Sequence, residues 1–293
     1  MIFLVAAVIV VLLGGAWGWR SSSWVLTGER EPLTTTPRTF GFPFTDETFS
    51  STDGTRLKAW FVPAVSFNDV TLVICHGWGA NRSNILERTH FLRARGNYNL
   101  FYFDFRNHGH SDEGKTSLSG NEIDDLEMAL AHLRTTHPAE SVRVGLYGMS
   151  MGGAVSLWVA AHKTDVAAVA AESPYSAAGE AVIRYGRLFY RAPRWMSLIT
   201  LAFVRSRLGF DPDDYAPVRV IDKISPRPLF LLQGGRDART PPSEGQRLLD
   251  AAREPKSLWT LPGADHGELA EMGGKEYQDR LLAFYDGVFR RGL

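Results

Sequence analysis

The chain has 293 residues, 44% hydrophobic and 22% charged, an ordinary globular composition long enough for one large domain or two small ones. Its 32 basic and 32 acidic residues cancel, which removes any global attraction to nucleic acid. Cys75 is the only cysteine, so an internal disulfide and a cysteine-based zinc site are excluded, and its place in an apolar run marks a buried, inert thiol.

The stretch Ile2 to Trp19 has 18 residues and no charge. As a helix it would reach about 27 Å, close to a ~30 Å hydrocarbon core. Trp17 and Trp19 suit an interfacial belt, and Arg20 closes the segment. No Lys or Arg precedes the run, and Ala16-Trp17-Gly18 is a poor cleavage site. An uncleaved single-pass anchor over residues 1–19 is therefore expected rather than a signal peptide. Arg20 after the run leans the rest of the chain to the cytoplasmic side. Residues 20–45, rich in Ser, Thr, Pro and Gly, read as a stalk, and 46–293 as the folded domain.

From Thr48 to Pro63 a hairpin is expected around Asp53-Gly54. Buried strands then read at 70–77, 98–105, 142–148, 165–173, 228–234 and 257–263. Helices read at 83–95, after Ser119 with Glu122 as its capping box, from Met151 to His162, and from Gln278 to Arg290. Strands that alternate with helices and are apolar on both faces predict a mostly parallel sheet covered on both sides, an α/β fold. Residues 175–222 interrupt the alternation with helical, aromatic material. Between Tyr175 and Phe210 this insertion holds six Arg and one acid, Glu180. Arg184, Arg187 and Arg191 fall on one helical face, which suits anionic lipid or a phosphate-bearing group.

"GLYGMSMGGA" places Ser150 where a strand runs into a tight turn and a helix follows at once. A serine there takes a strained backbone, and glycines at 148 and 152 let strand and helix pass closely. The N–H of Met151, at a helix start, is a candidate oxyanion donor. A serine hydroxyl needs a base. Of the eight histidines, His90, His132, His137 and His162 fall on helices as solvated or capping residues, and His108 and His110 fit a turn. His266 follows the last strand, at the edge where sites collect, and is the candidate base. Asp237, just past a strand on the same edge, is the favoured acid, with Glu172 as the alternative. Asp265 adjoins His266 and points the wrong way for most backbone paths. The loop "CHGWGANRSN" offers the N–H of Trp78 as second oxyanion donor.

The ordered segments "HGWGAN", "DFRNHGHSDE", "GMSMGG", "GGRDARTPP" and "GADHGE" make residues 46–293 resemble an α/β-hydrolase, most of all the single-anchor bacterial hydrolases related to monoacylglycerol lipases and the serine aminopeptidase-like group. The resemblance implies Ser150, Asp237 and His266 as the triad and Trp78 and Met151 as oxyanion donors. It makes 175–222 a lid and Asp104, Arg106 and Ser111 structural. Many relatives have Gly where Asn107 stands, and there is no His-Gly-Gly-Gly motif, which argues against bulky-alcohol esterases. A membrane-tethered serine hydrolase of acyl esters or lipids is expected, with no metal or organic cofactor needed and no nucleic-acid partner. The rivals are an aminopeptidase or amidase and a catalytically inactive anchored binding module.

Overall fold

A computed structural model describes residues 2–290, with side chains described from residue 12. Helix α1 (Ile2–Thr27) leads into an extended segment, then β1 (Thr45–Ser50), β2 (Arg56–Val62) and β3 (Val70–Cys75). Helices α2 (Arg82–Thr89) and α3 (Phe91–Ala94) follow, then β4 (Asn99–Phe103), α4 (Gly120–Thr136), β5 (Arg143–Met149) and α5 (Met151–His162). After β6 (Val166–Glu172) come α6 (Ala178–Tyr190), α7 (Arg194–Leu208) and three short 3-10 turns. The chain closes with β7 (Leu229–Gly234), α8 (Pro242–Ala251), β8 (Lys256–Leu261) and α9 (Leu269–Phe289).

The eight strands form one sheet in the order β1-β2-β4-β3-β5-β6-β7-β8. The hairpin β1–β2 and the β2–β4 pair are antiparallel, and the other pairs are parallel. Side chains alternate across the strands. Val73, Cys75, Phe101 and Phe103 face a core shared with α4 and α5, while Leu72, Ile74, Leu100 and Tyr102 face one shared with α2, α3 and α9. The chain order reverses at β3, which lies between β4 and β5. In such sheets the crevice beyond the strand ends at this switch point is where ligands bind.

The predicted strands all appear, shifted by a residue or two at their ends. Two helices differ. The one expected over 83–95 divides at His90 into α2 and α3, and α9 starts at Leu269 rather than Gln278, with a non-helical residue at Gly274 (φ 45°).

The expected membrane anchor is corrected: among the described residues, no helix is long and apolar enough to cross a membrane. The lean toward a cytoplasmic-facing domain, built on that anchor, goes with it. The side chains of residues 2–11 in that run lie outside the described residues. The rest of α1 continues past Arg20 to Thr27 and is packed against protein. It lies parallel to α7 in a constant register: Trp17 Nε1 donates to the Met196 carbonyl at 3.3 Å, and the Ser21 and Thr200 hydroxyls meet at 2.7 Å, each pair 179 residues apart in sequence. A Cβ at Gly18 would collide with the Phe203 ring, so glycine sets the close approach. Val25 and Leu26 join Val182, Leu201 and Val204 in a separate buried cluster under α6 and α7. The segment read as a stalk is also tied down. The Asn81 side chain donates to the Glu31 carbonyl at 3.0 Å, and Ser83 Oγ accepts from the Thr34 amide at 2.9 Å.

The loop after β4 is fixed by buried charge. Asp104 pairs with Arg82 and accepts from the amides of Arg82 and His110, each at 2.8 Å. Ser111 Oγ donates to the Asp104 carbonyl at 2.6 Å. Asp104 is fully buried, so removing its carboxylate leaves the Arg82 guanidinium uncompensated. Asp104→Ala is expected to cost about 3–5 kcal/mol of unfolding free energy by urea denaturation; a loss below about 1 kcal/mol, the range of exposed pairs, would show that this pair does not hold the loop.

Candidate active site

The turn between β5 and α5 is built by steric exclusion. A Cβ at Gly148 would collide with the Gly152 backbone, and one at Gly152 with the carbonyls of Cys75 and His76. Strand and helix therefore approach as only glycines permit. Ser150, at their junction, has φ 53° and ψ −116°. For a non-glycine residue this conformation costs about 1–3 kcal/mol and persists only where the surroundings hold it. Here its amide donates to the Glu172 carbonyl at 2.8 Å and its carbonyl accepts from Ala154 at 3.0 Å.

Side chains from three strand ends meet above this turn. His266 Nε2 is 3.1 Å from Ser150 Oγ, and His266 Nδ1 is 2.8 Å from Asp237 Oδ2. With Nδ1 donating to the carboxylate, Nε2 is left to accept the serine proton. Asp237 is fixed in turn by the amides of Arg239 (2.9 Å) and Thr240 (2.7 Å) and by the Thr240 hydroxyl at 2.8 Å. Burial alone would raise its pKa, but the hydrogen bonds from His266 and Thr240 outweigh it and hold the carboxyl below the usual range. Thr240 was not read from the sequence; the signal was Asp followed by Thr three residues on in "DART", the spacing of a side chain that caps its own turn.

Glu172, the alternative acid, is elsewhere. Its carboxylate accepts from Tyr147 Oη at 2.5 Å and Tyr277 Oη at 2.9 Å, with Arg88 at 3.5 Å, deep behind the turn. Asp265 accepts from the His266 amide at 2.7 Å and does not orient the imidazole.

Cys75 pairs with Gly148 across β3 and β5, so Gly77 lies beside Ser150; a Cβ on Gly77 would sit 3.3 Å from Ser150 Cβ. Among the described residues, the amides of Trp78 and Met151 have no hydrogen-bond acceptor. Two buried histidines hold this loop. His76 donates from Nδ1 to the Gly77 carbonyl (2.8 Å) and accepts at Nε2 from the Phe105 amide (3.0 Å). His108 donates from Nδ1 to the Arg106 carbonyl (2.8 Å) and accepts at Nε2 from the Gly79 amide (3.0 Å). Both patterns require the neutral ring. Desolvation drives the His76 pKa well below its ordinary value and brings His108 to about 4, overriding the carbonyl each ring bonds.

A cavity of about 480 Å³ opens on Ser150 and Met151. Trp78, Val25, Val182, Tyr175 and Tyr185 form its apolar walls. Arg184, Arg187 and Arg191, expected to bind substrate, are not among its lining residues. Arg184 pairs with Glu244 of α8 at 2.6 Å and fastens the insertion to that helix, and Arg187 and Arg191 are exposed. Spacing reports which residues share a helix face, not what the face meets. The cation on the cavity wall is instead Arg20 of α1.

A mostly parallel sheet with a serine turn after the strand at the switch point, flanked by helices on both faces, defines an α/β-hydrolase. More closely, the chain belongs to the prolyl oligopeptidase family, which matches over residues 89–292. It is thus a hydrolase of the esterase and peptidase type. The protein YqkD of Bacillus subtilis is 30% identical over 221 residues, 74% of this chain and 72% of YqkD. A Pyrococcus furiosus esterase aligns with a TM-score of 0.76 at 23% identity, covering 90% of this chain and 98% of the esterase. Pyrococcus horikoshii acylaminoacyl peptidase aligns at 0.66 and 16%, over 89% of this chain and 44% of the peptidase. At these identities the structural likeness speaks for the fold. The narrower likeness to monoacylglycerol lipases stays a resemblance.

The neutral histidines make a pH prediction. His108 has its folded pKa below its unfolded value of about 6.5, so the unfolded chain binds more protons between these values. The stability that the neutral ring contributes is complete above pH ~6.5 and is lost as pH falls toward 4. The stability advantage of wild type over His108→Gln is expected to shrink across that window, followed by urea unfolding at stepped pH; a constant difference would show that the ring does not titrate this way.

Proposed function

We propose that this hydrolase cleaves acyl esters through an acyl-enzyme on Ser150, with His266 as base and Asp237 as the group that orients it. The observation that carries the reading is the cavity at Ser150: its walls are mostly apolar, and among the described residues no Asp or Glu lines it. Such a site suits an acyl chain. It offers no carboxylate to the free ammonium of an aminopeptidase substrate, which weighs against that alternative despite the family's name.

The reaction follows from the contacts. Ser150 Oγ attacks the acyl carbon while its proton passes to His266 Nε2. The new imidazolium is stabilised by Asp237. The negative oxygen of the tetrahedral intermediate accepts hydrogen bonds from the amides of Trp78 and Met151, which need no reorganisation to donate them. Collapse expels the alcohol, which takes the proton from Nε2. Water then attacks the acyl-enzyme, gives its proton to Nε2, and the acid leaves as Ser150 regains that proton. Docked in its strained turn, the serine starts each cycle already pointed at the substrate.

A fluorophosphonate probe is expected to label wild type and not Ser150→Ala; equal labelling of both rejects the nucleophile. Asp237→Asn is expected to lower kcat by about 10³–10⁴-fold on a p-nitrophenyl acyl ester. Peptidyl p-nitroanilides turned over faster than p-nitrophenyl esters by wild type would replace the ester reading with a peptidase. No turnover of either would favour the binding module.

A further inference from the structure

The walls of the cavity come from two places far apart in the chain, and α1 supplies one of them. Trp24 sets its ring edge-on to Trp78 at 4.6 Å and to Tyr190 at 5.6 Å. Trp78 Nε1 donates to the Val25 carbonyl at 3.3 Å. The helix therefore meets the Trp78 loop at Val25 and leaves it as it runs back through Arg20 to Trp17, about 12 Å along its axis at ~1.5 Å per residue. The end of the cavity away from Ser150 is thus lined by Arg20, Ser21 and Trp17.

That end is polar in a way the middle is not. Arg20 is solvent-exposed at the cavity rim, lines the cavity and, among the described residues, has no ion pair or hydrogen bond. Four arginines of α6 and α7 spend their charge on protein, Arg184 on Glu244, Arg194 on Glu180, Arg205 on Asp211, and Arg207 on the serines of α1, while the exposed Arg187 lies off the cavity. Ser197, on the α7 wall and level with Gly18 in the 179-residue register, is buried, and its Oγ has no hydrogen-bond partner. A buried hydroxyl without a partner is costly; Ser156, Ser173 and Ser176 share that state, and of the four only Ser197 lines the cavity. Beside it the hydroxyls of Ser21 and Thr200 satisfy each other. A cation and an unpaired hydroxyl at the far end of an apolar passage match one kind of ligand: a chain with an oxyanion at its tip.

We propose that the cavity selects acyl esters whose acyl chain carries a terminal carboxylate or phosphate, bound by Arg20 and Ser197 at the end of an apolar passage from Ser150. The inference rests on the serine-esterase reading above. It makes Arg20, the residue just past the expected anchor over 1–19, a specificity-determining residue. Without Arg20 the bare apolar walls would favour the methyl-ended chain, because a terminal anion must give up water to enter.

The test uses the full chain with p-nitrophenyl decanoate and its ω-carboxyl and ω-phosphate counterparts at low ionic strength. Wild type is expected to show kcat/KM about tenfold higher for at least one anionic ester than for the decanoate, the scale of a charge-assisted hydrogen bond in a half-open site; which of the two is preferred tells carboxylate from phosphate. Arg20→Gln should remove that preference, and Arg20→Lys should keep most of it. Ser197→Ala should reduce it about threefold. Arg187→Gln, on the exposed surface, should leave the ratio as in wild type. Equal kcat/KM for all three esters in wild type, or a preference that survives Arg20→Gln or falls equally in Arg187→Gln, overturns the proposal and leaves the esterase reading intact. No turnover of any of the three by wild type removes the esterase reading, and this one with it.

Discussion

Ser150 occupies a backbone conformation that an ordinary residue avoids, and most of the site can be understood as what holds it there. The glycines at 148 and 152 exist because the strand, the helix and the Cys75–His76 carbonyls converge on one point. Behind the turn, the Glu172 carbonyl receives the serine amide while its carboxylate is pinned by Tyr147, Tyr277 and Arg88. A buried carboxylate is tolerable only with such partners. Glu172 thus braces the serine from beneath through its backbone and takes no part in the imidazole contact. Strain at one residue is met by rigidity in its neighbours, and this is why the hydroxyl has a defined direction.

The same economy of means appears in the loop above the serine. His76 and His108 act as neutral rings that each accept one amide and donate to one carbonyl. They set the path of residues 77–79 and so the aim of the Trp78 amide. On the other side of Trp78, α1 contributes a carbonyl to its indole and Trp24 to its ring face. The indole is therefore held between the core of the sheet domain and a helix from the start of the chain. Movement of α1 and α7 as a unit would be felt at the Trp78 indole beside Ser150.

Much of this was legible in the sequence, and for local reasons. A strand–turn–helix with glycines on both sides of a serine is dictated by sterics within a few residues, so "GMSMGG" announces itself. Asp237 and His266 follow strands of a parallel sheet, and parallel strands deliver the residues after their ends to one edge. What failed to show depends on partners distant in sequence. An apolar run is rewarded equally by lipid and by a protein surface, and Ile2 to Trp19 looks the same in both settings until Trp17 is seen against Met196 and Gly18 against Phe203. The basic face of α6 was visible as a face, yet its partner Glu244 comes from α8, after the whole insertion and another strand. Thr240 was overlooked because a threonine in a turn is common; only the carboxylate it caps makes it part of the site.

The constant offset of 179 residues between α1 and its helical partner has a consequence for how the protein is made. At about 5–20 residues per second of synthesis, α7 emerges roughly 10–40 s after the helix it clasps. Through that interval the tryptophans and aliphatic groups of the first segment have no native surface to cover them. Until α7 appears the face of α1 from Trp17 to Leu26 stands bare, and whatever shields it at the ribosome has to release it then.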